Sequence, residues 1–458
     1  MKNKSNFKVL GIMLLVVLLL TWVIPSSVVS GEITVGKVAP VGFADIFSSI
    51  PVLTTYFMQV AVFILFVGMF YGVSNASGSL KALVNKLVSM FKNKKWLFVV
   101  ITVLFYSLLS ALSKVYISAF VFVPLSIAVL LGLKYTKVQA ILATVGASSV
   151  GLLAQVLNTN VKTITGADDK FIWFRLALLC VLVIFTIIYL LKVSVKKDKA
   201  EKDAEAVMFV PEARSASKKV TVKGTSLFVV VALLFVVFVL GITPWNTEIF
   251  EKAYTAIKDV KIGNFAVFAS ILGAFETFGA WSYNSLYATL GLAIIVLSIS
   301  NHLKFGEMVD ACVEGAKKVL NPVLVSILIN IVLIFTLNSG FLGTIIKYVI
   351  GKGRILRVIA SAFIANPFMV DLNYSMQYVL SCIFYSTNNQ DLLNVYQLII
   401  QTTFGFAALV APSSILLMVG LSYVEEKYTN WFKYIWKFMI VVFAAIGIML
   451  LVLKYTAL

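Results

Sequence analysis

Two charged residues stand inside strongly apolar stretches of this sequence. Lys114 ends a serine-rich turn that contains Ser110 and Ser113, and Asp371 stands two residues before Asn373 in the second half of the chain. A lysine near the middle of a bilayer costs about 2.5–3.5 kcal/mol on insertion scales. Such a group persists where it pairs, lines a wet cavity or binds a ligand. We therefore predict that these five residues bind substrate.

Two polar interruptions offer neutral donors and acceptors to the same substrate. The first consists of Asn158, Thr159 and Asn160, which follow an apolar run. The second consists of Ser413 and Ser414, which follow a proline. A helix that breaks at this depth leaves N–H and C=O groups without helical partners, so it is tolerated only beside protein or water. Those half-helix ends favour a carboxylate at the N-terminal side and a cation at the C-terminal side. Helix capping is an alternative role for these residues and is compatible with binding.

The roles of the two charges remain open at this stage. Lys114 is suited to hold a substrate carboxylate, or to take the place of a coupling cation permanently. A structural ion pair with Asp371 is the simpler alternative, as is snorkelling of the lysine towards a membrane surface. Asp371 is suited to bind an amino group, to carry a proton or to neutralise Lys114.

The composition is that of a polytopic membrane protein. Hydrophobic residues make up 60% of the 458 residues and charged residues only 13%, against about a quarter charged in soluble proteins. Apolar runs long enough to cross a bilayer recur along the chain, so we expect an all-α fold of about 10–12 spans with re-entrant hairpins and broken helices.

The net charge of +18 is set by lysines that cluster between the apolar runs. This arrangement is typical of the positive-inside rule and predicts no nucleic-acid partner. The sequence has one histidine and three cysteines, which argues against a metal centre and against a disulfide framework. We expect no cofactor, apart from H⁺ or Na⁺ as a possible coupling ion.

The chain divides at a charged segment. Residues 192–223 carry nine Lys/Arg and five Asp/Glu, which predicts a cytoplasmic linker between an N-terminal half (1–191) and a C-terminal half (224–458). The first apolar run reads as a retained helix with a cytoplasmic N-terminus, and residues 26–54 as an external loop. Hairpins are expected near 105–120 and 366–380, and helix breaks near 158–160 and 412–414.

The two halves carry similar short motifs in the same order, separated by between 254 and 262 positions. The matched pairs are Ser77–Leu80 with Ser339–Leu342, Thr144–Gly146 with Thr403–Gly405, and Ala154–Asn160 with Ala408–Ser414. By the lysine distribution, the span before Ser77 runs inwards and the span before Ser339 runs outwards. We therefore predict an inverted repeat, which together with interrupted helices is typical of secondary transporters.

Several motifs resemble the YfcC-like permeases of the dicarboxylate anaerobic carrier family, within the ion-transporter superfamily. They are Trp22–Pro25, Gly72–Leu80, Val123–Leu125, Leu157–Asn158, Glu314–Lys317 and Pro412–Ser414. The resemblance implies a proton- or sodium-linked carrier or exchanger of dicarboxylates, amino acids such as arginine and ornithine, or related organic acids. It also implies a scaffold domain and a moving transport domain, assembled as a homodimer in the inner (cytoplasmic) cell membrane.

We therefore expect a secondary active transporter of small organic acids or amino acids that works by alternating access in the lipid bilayer. Relatives have a glycine-rich hairpin with acidic residues where this chain has the serines before Lys114, so a degenerate, non-transporting homologue is one alternative. A channel-like protein is another and predicts a continuous polar stripe. A membrane enzyme is disfavoured because no nucleophile–base or metal constellation is present.

Overall fold

The computed structural model describes residues 5–157, 170–193, 224–245, 248–263, 265–273, 276–351 and 355–456. Within these ranges, ten helices are long and apolar enough to cross a membrane. A helix of about 20 residues spans 30 Å, which is the thickness of the hydrocarbon layer. The predicted all-α polytopic fold is confirmed, and the number of spans lies at the lower end of the expected range. Most of the predicted linker, residues 194–223, lies outside the described residues.

Among its described residues, the first half contains seven helices of ten residues or more. They are α1 (Ser5–Val23), α2 (Gln59–Ala76), α3 (Ser79–Phe91), α4 (Lys95–Leu112), α5 (Val123–Gly132), α6 (Lys137–Ala154) and α7 (Ile172–Lys192). A 3₁₀ helix, Tyr116–Val121, joins α4 to α5. The middle of α6 is a π-helical turn, Leu142–Gly146.

The second half begins with what we call the inserted segment, because its helices lie between the predicted linker and the elements that carry the second set of motifs. That segment contains α8 (Thr225–Ile242), α9 (Glu248–Lys258), α10 (Val267–Leu272), α11 (Tyr283–Ser300) and α12 (Phe305–Lys318). The remaining helices are α13 (Leu320–Ser339), α14 (Phe341–Ile350), α15 (Ile355–Ala365), α16 (372–387), α17 (Leu393–Val410), α18 (Ile415–Tyr423) and α19 (Tyr428–Thr456). A π-helical turn, Ser375–Val379, lies within α16.

The segment after α1, expected as an irregular loop, begins with a β-hairpin. Strands β1 (Pro25–Ser30) and β2 (Glu32–Val38) pair in antiparallel fashion around Gly31. Gly31 has a φ of +73°, which a glycine adopts without steric cost in a tight turn. The valines, isoleucine and threonine of this segment favour extended backbone. These local signals explain the difference from the expected loop. A second pair of short strands, β3 (Lys261–Ile262) and β4 (Phe265–Ala266), lies between α9 and α10.

The N-terminal helix and its hairpin pack on the second half of the chain. The backbone N–H and the hydroxyl of Ser27 both donate to the carbonyl of Gly340, at 3.1 and 2.6 Å. At the other end of α1, the amide of Asn6 donates to the carbonyl of Glu426 at 2.9 Å. Helix α1 and the β-hairpin are therefore each hydrogen-bonded to elements that follow the predicted linker.

The buried centre of the fold is formed by α6 and α17, one helix from each half. Every residue of α6 is buried. A Cβ built on Gly405 of α17 would lie 2.5 Å from the Cα of Leu153 in α6. Glycine therefore allows the two backbones to come into direct contact. Helix α6 precedes the first predicted break and α17 precedes the second. Their contact therefore fixes the distance between the two breaks.

A second close crossing joins α2 to α12. A Cβ built on Gly315 would lie 2.2 Å from the carbonyl oxygen of Gly68 and 2.8 Å from the Cα of Gly72. Small residues one turn apart permit this kind of packing between membrane helices. The crossing fixes the inserted segment to the first half.

The turns that precede the two amphipathic helices α3 and α14 have the same backbone geometry. Gly78 and Gly340 have φ values of +75° and +63°, and each stands directly before its helix. Ser77–Leu80 and Ser339–Leu342 are the first pair of motifs in the predicted inverted repeat. This shared geometry agrees with a repeat, and the inverted repeat itself stays a prediction.

Candidate functional site

The first hairpin, residues 105–120, ends helix α4 in the serine-rich turn. Ser110 and Ser113 are buried, and the Ser113 hydroxyl accepts the N–H of Val115 at 3.0 Å. Lys114 is exposed, and its backbone N–H donates to the carbonyl of Ile242 at the end of α8, at 3.0 Å. The hairpin therefore presents its lysine beside the inserted segment.

The first break begins earlier than predicted, because α6 ends at Ala154. The Gln155 side chain donates to the carbonyl of Ser113 at 3.4 Å. The N–H of Leu157 donates to the carbonyl of Ala111 at 3.2 Å. The first break and the tip of the first hairpin are thus in direct contact. Asn158, Thr159 and Asn160, the predicted binding residues of this break, lie outside the described residues.

The second hairpin, residues 366–380, is organised by Asn366 and Asp371. The Asn366 amide donates to the Thr403 hydroxyl in α17 at 2.6 Å, and its oxygen accepts the Ser375 hydroxyl at 2.5 Å. Asp371 caps the start of α16 by accepting the N–H of Asn373 at 2.8 Å, as N-cap aspartates do. The Asn373 side chain is exposed.

The second break separates α17 from α18 at residues 411–414, where the sequence predicts it. The Ser413 hydroxyl donates to the carbonyl of Pro367 in the second hairpin. Ser414 caps α18 by accepting the N–H of Leu417 at 3.2 Å, and it donates to the carbonyl of Ala408 at 2.6 Å. In both halves, therefore, a side chain at the break donates to a backbone carbonyl at the hairpin tip.

Two hydrogen bonds connect the halves at these positions. The Tyr116 hydroxyl in the first hairpin donates to the carboxylate of Asp371 in the second, at 3.3 Å. The Gln401 amide in α17 donates to the backbone carbonyl of Gln155 at the first break, at 3.3 Å. The two halves therefore meet at two hydrogen bonds, and Asp371 is the predicted site residue that takes part in one of them.

A small cavity lies between Tyr116 and the second break. Its polar lining comes from Tyr116, Asn366, Ser413 and Ser414, and the remainder is apolar. The space open to the centre of a water molecule is about 10 Å³, which is enough for about one water.

Lys114 and Asp371, both described, do not form an ion pair with each other. The positive charge of Lys114 acts instead on Glu276, in the loop between α10 and α11. The Glu276 carboxylate accepts the N–H of Ser282 and the hydroxyl of Ser285, each at 2.6 Å. Desolvation raises the pKa of Glu276, but these hydrogen bonds and the positive charge of Lys114 outweigh it and hold the pKa below its usual value.

Arg175 is a site residue that the sequence reasoning did not single out. It lies in the first turn of α7 and is 1% exposed. One guanidinium nitrogen, Nη1, donates to the carbonyl of Gln155 at 3.3 Å. The available signal was a single arginine within a predicted span, because ionisable residues at such positions are functional by default.

The sequence of the chain matches one protein-family model over nearly its whole length. Residues 4–455 match the family described as C4-dicarboxylate anaerobic carrier, DcuC. The chain belongs to the C4-dicarboxylate anaerobic carrier family. This confirms the resemblance predicted from the motifs, and it places the protein among membrane carriers, not enzymes. No curated protein matches the chain significantly.

Two solved transporter structures align with the chain at low similarity. The crystal structure of the YdaH transporter from Alcanivorax borkumensis covers 98% of this chain and 98% of its own, with 12% identity and a TM-score of 0.41. The structure of MtrF from Neisseria gonorrhoeae covers 97% of this chain and 94% of its own, with 14% identity and a TM-score of 0.39.

Proposed function

We propose that the protein is a secondary active transporter of C4-dicarboxylates or related organic acids that works by alternating access. The observation that carries the proposal is the Tyr116–Asp371 hydrogen bond, which joins the two hairpins beside a small cavity. Carriers of this kind bind substrate where interrupted helices from two halves meet. The family membership supports C4-dicarboxylates as the substrate class.

Lys114 binds one substrate carboxylate in this proposal. Its side chain is exposed, so the ammonium group is open to a substrate carboxylate, and its positive charge also acts on Glu276. Ser110 and Ser113 in the same turn supply hydroxyl groups.

Asp371 couples transport to an ion in this proposal. Its carboxylate is held by neutral donors, Tyr116 and Asn373, so either a proton or Na⁺ is chemically suited to neutralise it. Asn366, Ser413 and Ser414 surround the adjoining cavity. An amino acid substrate is the second candidate, because a carboxylate beside a carbonyl-rich turn also suits an amino group.

The movement that we propose separates the hairpins and breaks from the elements that pack around them. The hairpin and the break of each half are joined by hydrogen bonds, from Gln155 and Leu157 in the first half and from Ser413 in the second, so each pair moves as a unit in this proposal. The proposal includes a homodimer in the cytoplasmic membrane with a cytoplasmic N-terminus.

Transport by the purified protein in proteoliposomes tests this function. Vesicles preloaded with unlabelled succinate are given radiolabelled succinate, with and without imposed sodium and proton gradients. A parallel set uses labelled arginine and ornithine. We expect exchange of the dicarboxylate and stimulation by one of the two gradients. Exchange of the amino acids alone would favour the second candidate, and no exchange in any arm would contradict a carrier function.

A further inference from the structure

A cavity of about 580 Å³ lies at the end of the fold where α1 and α13 finish. We call it the vestibule, and its walls come from the β-hairpin, the turn between α13 and α14, and the later part of α16. It shares no lining residue with the small cavity beside Tyr116. Ligand sites in proteins usually measure about 300–1,000 Å³. The vestibule therefore has the volume of a binding site.

The polar lining of the vestibule is neutral. Among the described residues it consists of serine, asparagine, glutamine and tyrosine side chains, with no aspartate, glutamate, lysine or arginine. One of these hydroxyl groups is already bonded, because Ser26 donates to the carbonyl of Lys37 at 2.8 Å. The side-chain amides of Asn338 and Gln377 differ, since no described residue forms a hydrogen bond with either. These two amides are available to a ligand.

Gln377 lies deep enough to connect the vestibule with the second hairpin. It follows Asp371 by six residues along α16, which corresponds to about 9 Å of helix rise. Asn338 lies at the other wall, next to the last residue of α13, and both residues are exposed. An amide that faces lipid without a hydrogen-bond partner is costly. The vestibule is therefore suited to water and to a hydrated solute.

We propose that the vestibule is an entry site, which holds the organic acid in hydrated form before it reaches the hairpins. The proposal rests on the proposed function and deepens it, because it assigns the point of entry on the membrane face where α1 ends. Removing all water from a carboxylate is costly, and a C4-dicarboxylate leaves room in this volume for part of its hydration shell. The amides of Asn338 and Gln377 donate to its carboxylates. Without a fixed charge, binding stays weak enough for onward release.

Opposite charges introduced at Gln377 test the entry site. Gln377→Glu places a negative charge beside the dianion, and Gln377→Lys places a positive charge there. Because Gln377 is exposed, both variants should fold. We expect the KM for succinate to rise about fivefold in Gln377→Glu and to fall by a similar factor in Gln377→Lys. Both effects should shrink as salt is added.

Gln390→Glu and Gln390→Lys are the matched controls. Gln390 is exposed, follows the end of α16 and does not line the vestibule. Both control variants should keep the wild-type KM. A KM that shifts in the same direction in Gln377→Glu and Gln377→Lys, or that stays at the wild-type value in both, would overturn the entry site.

Labelling with a membrane-impermeant thiol reagent tests occupancy of the vestibule directly. Gln377→Cys in proteoliposomes is treated with sulfonatoethyl methanethiosulfonate, and the wild type, with Cys180, Cys312 and Cys382, gives the background. Saturating succinate should slow the labelling of Gln377→Cys about fivefold or more and leave that of Gln390→Cys unchanged. Labelling that succinate does not slow would indicate a cavity that holds water only, and would overturn the proposal.

The outcomes separate this inference from the function beneath it. A wild-type protein that exchanges no organic acid contradicts both. A wild-type protein that exchanges succinate, together with unshifted KM values in the two charged Gln377 variants, contradicts the entry site alone.

Discussion

The hydroxyl of Tyr116 donates to the carboxylate of Asp371 at 3.3 Å, across 255 positions of sequence. Tyr116 also lines the small cavity beside the second break. The bond therefore connects the two hairpins beside that cavity, where the proposed function requires substrate access to be controlled.

Tyr116→Phe removes this bond and keeps the ring. At 3.3 Å the bond is longer than the usual O–H···O range of about 2.5–3.0 Å. Its loss should therefore cost about 0.5–1.5 kcal/mol and change the KM for succinate by about two- to tenfold. Initial rates of exchange across a range of succinate concentrations measure the effect. Tyr56→Phe is the matched control, because Tyr56 is 66% exposed. Equal kinetics in both variants would contradict a role for the bond.

Lys114→Ala should abolish exchange while the protein remains inserted in the membrane. The change removes the cation that we assign to the substrate carboxylate. Lys252→Ala removes a lysine from an exposed pair with Glu248 and should leave exchange unchanged. Labelled succinate exchange, normalised to the amount of protein reconstituted, measures both. Near-normal exchange by Lys114→Ala would remove this residue from the site.

The stability of the protein should fall in acid through Glu276. Its pKa is below the usual value of 4.5 in the folded protein, so folding favours the charged form. The resulting contribution to stability is present above pH 4.5 and is lost as the pH falls through the lower folded value. Melting temperatures in detergent between pH 7 and pH 3 should fall less in Glu276→Gln than in the wild type. Parallel curves for the two proteins would contradict this assignment.

Gly315→Ala should destabilise the crossing of α2 and α12. The added methyl group meets the backbone of Gly68 and Gly72, and overpacking of this kind costs about 1–3 kcal/mol. Gly306→Ala in the same helix is the control, because nothing lies within 4 Å of a Cβ at that position. Thermal unfolding of the purified proteins should give a lower midpoint for Gly315→Ala alone. The same midpoint for both variants would contradict a contribution of the close α2–α12 contact to stability.

The helices could be predicted from the sequence because apolar runs of this length have few alternatives in a bilayer. The long helix Thr225–Ile242 directly follows the predicted linker, and the second break lies at Ser413 and Ser414 as expected. The β-hairpin after α1 was missed, since its valines also suit the apolar sequence on either side. Local composition alone did not separate strand from loop there.

Residues of the candidate site could be predicted only where a charged residue or a proline interrupted an apolar run. Asp371 and the serine-rich turn before Lys114 gave such signals. The partners of these residues did not, because Tyr116 and Gln401 are ordinary residues within helical segments. Their role depends on contacts across more than 240 positions, which one sequence does not contain.

The attachment of Ser27 to Gly340 has a consequence for how the chain is made. The hairpin after α1 docks on a turn that is synthesised more than 300 residues later. At translation rates of about 5–20 residues per second, this hairpin waits on the order of tens of seconds before its partner exists. Insertion of the segment around Gly340 is therefore the step that completes the packing of α1 and its hairpin.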